Sequence, residues 1–195
     1  MTYYLATSNQ GKLADFAGLA PTVHWELLPG FASLPRAEET GRTFEANARL
    51  KAEFYSRYTQ DWVVADDSGL EIAALGGEPG VDSALYAGRH GDDEANNRLV
   101  LERLHGVPMP QRQAAFVCVL AVARAGQTLA CFDGRAEGLM LEAPRGSQGF
   151  GYDPLFYSPA AGRTFAELAP ADKGRFSHRG AAVRRLAEWI GHGCA

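Results

Sequence analysis

The sequence is short of lysine. Only Lys12, Lys51 and Lys173 stand among nineteen basic residues, so arginine carries the rest of the positive charge. A lysine kept against that bias points to a place that needs a compact, mobile ammonium, as phosphate sites do. Cysteine is scarce as well: Cys118, Cys131 and Cys194 make an odd number, and no CxxC occurs. Cys118 and Cys131 lie in apolar runs, where a reduced thiol behaves as a small hydrophobe. Buried thiols are therefore expected in place of a zinc or redox centre, in a reducing, cytoplasmic compartment. No stretch approaches the ~20 apolar residues of a membrane helix. The opening MTYYLATSNQGK lacks the basic-then-apolar pattern of a secretory signal and reads as a first strand. There is no basic excess either: the net charge of −4 argues against a nucleic-acid partner. An anionic small ligand is still compatible with it, if positive charge is gathered locally.

What remains is an ordinary globular composition, 195 residues with 46% hydrophobic, enough for one domain with a sizeable core. A strand over 3–6 should lead into TSNQGK and a helix over about 12–19, with Leu13, Phe16, Ala17 and Ala20 on one face. A second strand is expected over 23–28. A strong helix is expected over about 43–58, capped by Thr43, with Phe44, Ala48, Tyr55 and Tyr58 at helical spacing. WVVADDSGLEIAAL reads as an apolar strand, an acidic turn and a second short strand. Asp92 or Asp93 should cap a helix reaching Leu104. A long hairpin follows, its first strand over 114–125, and the stretch 144–159 is rich in glycine and aromatics. A last helix, capped by Ser177, runs to about Ile190. The fold class is α/β (mixed α+β), with a mixed, largely antiparallel sheet flanked by helices.

Five segments carry chemistry. Thr7, Ser8, Asn9, Gln10, Gly11 and Lys12 open a helix directly after a strand. Small and polar residues there let backbone N–H groups approach an anion, and Lys12 adds a point charge. The GxxxxGK[ST] pattern is absent, so this is no Walker A loop, and an ordinary N-cap by Ser8 or Asn9 is the alternative reading of the same residues. Glu38 and Glu39 precede a helix on which Asn47 and Lys51, four apart, share a face. Asp66 and Asp67 are adjacent carboxylates that repel each other, a repulsion that a hard cation relieves. A spare carboxylate there can take a proton from attacking water. Gly149 to Pro154 surrounds Phe150 with glycines, leaving a ring on which a flat base can stack, and Asp153 can accept from a base edge. Lys173, His178 and Arg179 gather cations at the start of the last helix, where they oppose its dipole unless an anion or electron-rich ligand sits there. Carboxylates, lysines and helix N-termini suit a metal with phosphate; an aromatic face and directional hydrogen bonds suit a purine. All three lysines fall within or beside these segments, which favours a nucleotide enzyme.

At the same five segments the chain resembles the inosine triphosphate pyrophosphatase family, the dITP/XTP or non-standard purine NTP pyrophosphatases. AEETGRTFEANARLKA, VADDSGLEI, LGGEPGV, QGFGYDPLF and ADKGRFSHRG follow in the family's order and spacing over nearly the whole chain. The resemblance implies an elongated fold, one domain over 1–195 with two lobes around a central cleft, usually a homodimer. It implies Mg²⁺-dependent cleavage of ITP, dITP and XTP to the monophosphate and pyrophosphate, which keeps these nucleotides out of DNA and RNA. Residue by residue, Thr7, Ser8, Asn9, Gln10, Gly11 and Lys12 would hold the triphosphate, with Lys51 assisting. Glu39 and Asp67 would handle the metal, with Asp66 or Glu38 near it, and Asp67 would activate water. Ser68 would touch substrate. Phe150 would stack on the base, Gly151, Tyr152 and Asp153 would line its pocket, and Lys173, His178 and Arg179 would recognise the 6-oxo purine. Donors arranged for a carbonyl oxygen would be left unpaired by adenine's amino group, which is costly when they are buried.

One stretch departs from the family's YSARYAGE: here it runs Asp82, Ser83, Ala84, Leu85, Tyr86, Ala87, Gly88, Arg89. The arginine expected at Leu85 is missing, and a salt bridge between Asp82 and Arg89 is the expected compensation. Two other functions compete. A pyrophosphatase for modified pyrimidine nucleotides would keep the fold but not explain Lys173, His178 and Arg179. A nucleotide sensor without turnover would have no use for water-activating carboxylates.

Overall fold

The computed structural model describes residues 1–193. Its elements run β1 (Thr2–Leu5), α1 (Gln10–Leu19), β2 (His24–Leu27), α2 (Phe44–Tyr55), β3 (Trp62–Ile72), α3 (Asp93–Arg103), β4 (Gln113–Arg124), β5 (Gln127–Met140), β6 (Phe156–Ser158), β7 (Arg163–Thr164), α4 (Pro170–Phe176) and α5 (His178–Gly191). Seven strands form one sheet in the order β2-β1-β3-β4-β5-β6-β7. β1 is parallel to both β2 and β3, whereas β6 is antiparallel to β5 and β7. Only Ala125 and Gly126 connect β4 to its neighbour β5, and so short a link leaves no alternative to an antiparallel hairpin. The sheet is therefore mixed, and the class is the mixed α/β one expected.

The chain divides into two compact units. The first takes residues 1–67, 118–134 and 179 onward; the second takes 68–117 and 135–178. The core of the first gathers Tyr3, Phe16, Trp25, Trp62 and Leu120. The Tyr3 ring lies 5.7 Å from both Trp25 and Trp62. The core of the second gathers Leu70, Leu104, Phe116, Phe156 and Phe165, with Phe116 stacked on Phe165 at 5.7 Å. β4 supplies both, and its residues are buried except at the two ends and Val117. Its near-continuous apolar run fits a strand covered on both faces.

Several local expectations change. Asp66 and Asp67 are not in a turn, because β3 continues unbroken from Trp62 to Ile72. The backbone ladder overrides the turn preference of two adjacent aspartates. Tyr58 is 48% exposed, since α2 ends at Tyr55 and tightens into one 3-10 turn over Ser56–Tyr58. Ala17 is exposed while Phe16 and Ala20 carry the buried face of α1. α1 begins two residues early, at Gln10. β6, β7 and α4 were not foreseen; the two strands are too short to show a period-2 pattern. Cys118 is buried as expected but Cys131 is only half-buried, both are free thiols, and Cys194 lies outside the described residues. Burial pushes the Cys118 thiol up to about 12. Among the described residues no helix is long and apolar enough to cross a membrane.

Candidate functional site

In the first unit the side chains of interest come from four elements. Asn9 caps α1: its Oδ1 accepts from the N–H of Gly11 at 2.8 Å and of Lys12 at 3.3 Å, and its own N–H donates to Thr7 Oγ1 at 3.1 Å. The 7–12 segment is thus both a built N-cap and a small-residue helix start. Lys12 reaches across to β3, where its Nζ donates to Asp66 Oδ1 at 2.8 Å. Arg179, near the start of α5, sits against Asp66 Oδ2 at 3.4 Å and Asp15 Oδ2 at 3.6 Å. Asp66 therefore carries a cation on each oxygen. Burial alone would raise its carboxyl, but Lys12 and Arg179 hold it well below the usual carboxylate range.

Asp67 is the next residue on the strand, so its side chain points to the other face. There Lys51 Nζ donates to Asp67 Oδ1 at 2.9 Å and to Glu39 Oε2 at 2.7 Å. α2 sets this up through its first turn. Thr43 Oγ1 accepts from Ala46 N, and the buried Asn47 accepts from Gly41 N at 2.8 Å, which folds the acidic loop back toward the helix. Gly41 is needed for that closure, since a Cβ there would come within 2.6 Å of Asn47 Oδ1. Lys51 then lies one turn beyond Asn47. Burial would lower the Lys51 ammonium, yet Asp67 and Glu39 keep it above its ordinary value. Burial pushes Asp67 up to about 6 against the pull of Lys51. Asp67 Oδ2 is buried and no donor meets full hydrogen-bond geometry with it among the described residues, although the Asn47 side chain also pulls the carboxyl down.

That orphaned oxygen is the structural test for a cation. Leaving a buried carboxylate oxygen unsatisfied is costly, whereas a hard divalent ion accepts one or two protein carboxylates with phosphate oxygens and water. Asp67 and Glu39, already held around one ammonium, fit such an ion. Asp66 is held by other partners. Among the described residues no three His, Cys, Asp or Glu side chains are grouped as a metal cage, and both oxygens of Asp66 are taken by cations. Glu38 is exposed and forms no ion pair among the described residues.

In the second unit Phe150, Gly151, Tyr152 and Asp153 form the turn before β6. Asp153 is buried, and its Oδ2 accepts from Phe150 N at 2.9 Å and from Lys173 Nζ. Lys173, from α4, also lies 4.9 Å from the centroid of the Phe150 ring, within cation–π range. Phe150 itself is 58% exposed. Gly149, at φ +75°, permits the turn: a Cβ there would overlap the Asp153 carboxylate. Tyr152 is buried, donates to Ser83 O at 2.8 Å, and its phenol is pushed up by burial. His178 is buried with its ring stacked on Phe116 at 4.8 Å. Ser68 is half-buried on β3.

The expected set is thus drawn into two groups. Thr7 to Lys12, Glu39, Lys51, Asp66, Asp67 and Arg179 belong to the first unit; Ser68, Phe150 to Asp153, Lys173 and His178 belong to the second. The guanidinium of Arg179, expected to recognise the base, pairs with Asp66 and Asp15. Asp15 was missed; its spacing of three from Lys12 on α1 was the available signal. Asn47 was seen as a face-mate of Lys51 but not as the residue that folds the acidic loop. No ion pair joins Asp82 and Arg89 among the described residues. Glu78, Tyr86 and Arg103 pair instead, with Arg103 Nη1 at 3.0 Å from both Glu78 Oε2 and Tyr86 Oη.

The comparisons with known proteins agree with one another. The chain is 50% identical over 186 residues to a dITP/XTP pyrophosphatase of Geobacillus kaustophilus, covering 94% of this chain and 91% of that protein. It is 50% identical over 191 residues to a dITP/XTP pyrophosphatase of Thermus thermophilus, covering 96% and 91%. A solved HAM1 protein from Coxiella burnetii superposes with a TM-score of 0.90 at 39% identity, covering 99% of this chain and all of that one. The Ham1 protein of Staphylococcus aureus gives 0.88 at 39% identity. A profile of the Ham1 family matches residues 3–189, and with carboxylates, lysines and an aromatic turn at the family's motifs, the chain belongs to the Ham1 family.

Proposed function

We propose that this chain hydrolyses deaminated purine nucleoside triphosphates such as ITP, dITP and XTP to the monophosphate and pyrophosphate. The observation that carries the reading is Asp67, a buried carboxylate with one oxygen on Lys51 and the other unsatisfied. The names of the relatives support the substrate class. Asp67 is the residue to take a proton from attacking water. Glu39 and Asp67 would hold Mg²⁺, which supplies charge neutralisation at phosphate oxygens when bound. Asp66 keeps Lys12 in place, where its charge can meet the triphosphate with the Thr7 to Lys12 segment, and Lys51 assists there while holding Glu39 and Asp67. Ser68 touches substrate. Phe150 stacks on the base, and Gly151, Tyr152 and Asp153 line its place. Lys173 and His178 answer the 6-oxo group. Arg179 serves with them.

The whole chain is proposed to work as one domain, in the cytoplasm and as a homodimer. Pyrophosphate release is the deciding assay, run on ITP, dITP, XTP, GTP and ATP with and without Mg²⁺. Turnover of ITP and XTP well above ATP, abolished by chelator, is expected. Equal turnover of ATP would refute the specificity, and binding without product would favour a sensor. Light scattering checks the dimer against the 21.0 kDa chain mass.

A further inference from the structure

The turn that carries Phe150 is gripped from a helix that none of the motifs includes. Asp93 is the first residue of α3, and its Oδ2 accepts from Gly151 N at 2.6 Å. Asn97, four residues on and so on the same helix face, donates from Nδ2 to Gly151 O at 2.8 Å and to Asp93 O at 2.8 Å. Both groups that Asn97 meets are carbonyl oxygens, so its NH₂ must face them. Its Oδ1 is left buried without a partner among the described residues. A buried unsatisfied acceptor costs free energy, and a side chain held at that cost is fixed by something other than its own hydrogen-bond satisfaction. Gly151 stands at φ +61°, so this one residue, in a conformation few side chains adopt, is held by both its N–H and its C=O.

We infer that Asp93 and Asn97 are positioning residues that fix the Gly151 peptide, and through it present Phe150 and Asp153 to the purine. Neither touches substrate. Asn96, adjacent on α3, holds a second segment in the same way: its Oδ1 accepts from Ala87 N at 2.8 Å and its Nδ2 reaches Ser83 O at 3.4 Å. Ser83 O in turn accepts from Tyr152. The polar stripe of α3 thus orders both neighbours of the base-holding turn, which accounts for two adjacent asparagines in a helix they do not favour.

The inference rests on the nucleotide reading above, and its test separates the two. Asp93→Ala and Asn97→Ala are each expected to raise KM for ITP on the order of 10-fold, the effect of losing one hydrogen bond to or near a charged group, with kcat within about 3-fold and the preference over ATP narrowed. The double variant should cost less than the product of the two, because both grip one peptide. Asp93→Asn keeps an acceptor and should recover most of KM; Glu94→Ala, on the exposed neighbour, should leave KM unchanged and controls for helix stability. Inhibition by inorganic tripolyphosphate, which has no base, should not move. Amide exchange at residues 150–153 is the readout independent of activity, and it should quicken in both alanine variants. Unchanged exchange there, an unchanged KM, or equal loss with tripolyphosphate would each overturn the positioning role. A wild-type chain inactive on ITP would overturn the nucleotide reading alone, and the exchange measurement would still decide the grip.

Discussion

The two units bring different chemistry to their candidate residues. In the first, three cations, Lys12, Lys51 and Arg179, are interleaved with Glu39, Asp66, Asp67 and Asp15. In the second, the ion pair of Lys173 with Asp153 stands among the rings of Phe150 and Phe165. Charge placement dominates the one, and shape with a few directed hydrogen bonds dominates the other. The difference teaches where each kind of substitution should register: in turnover for the first unit, in affinity and base preference for the second.

The contrast is sharpest at Asp67. Asp67→Asn keeps the shape but removes both the proton acceptor and one anionic ligand for Mg²⁺, and kcat at saturating Mg²⁺ should fall on the order of 10³-fold, as measured by pyrophosphate release. A loss confined to KM would erase the distinction between the units. Gly149→Ala comes next, since it combines a left-handed backbone with overlap on the Asp153 carboxylate. It should destabilise the protein by about 1–3 kcal/mol in chemical denaturation and weaken nucleotide binding. Phe150→Ala removes a stacking surface without disturbing a core, so KM for ITP should rise about 10-fold with little change in kcat or in melting temperature. Arg89→Ala should alter neither activity nor thermal stability, because Arg89 has no ion pair to lose among the described residues. A measurable effect there would restore the Asp82 partnership expected from the sequence.

Scarcity proved a good guide to the charged residues. All three lysines are ion-paired with carboxylates, and the helix that carries Asn47 and Lys51 was legible from spacing alone. The strand through Asp66 and Asp67 was not, because adjacent acidic residues carry the local signature of a turn, and the ladder that overrules it is a long-range property. Once the strand is known, its alternation separates two carboxylates that look equivalent in sequence. Asp93 and Asn97 were hidden for a different reason. A helix start already explains an aspartate, and nothing local announces that its carboxylate also holds a peptide 58 residues later. Arg179 shows the same limit: its neighbour His178 stacks on Phe116, while its own guanidinium goes to β3 and α1.

Asp66 and Arg179 are separated by 113 positions along the chain, and this has a consequence for biosynthesis. A ribosome that has exposed α1 and β3 has produced Lys12 and Asp66 but not their guanidinium neighbour. Until α5 emerges, a carboxylate destined for the interior has one counter-ion instead of two, and the nascent polypeptide lacks the last helix of its first unit. Chains released before that point should therefore be cleared as unfolded protein, not accumulate as partly active enzyme.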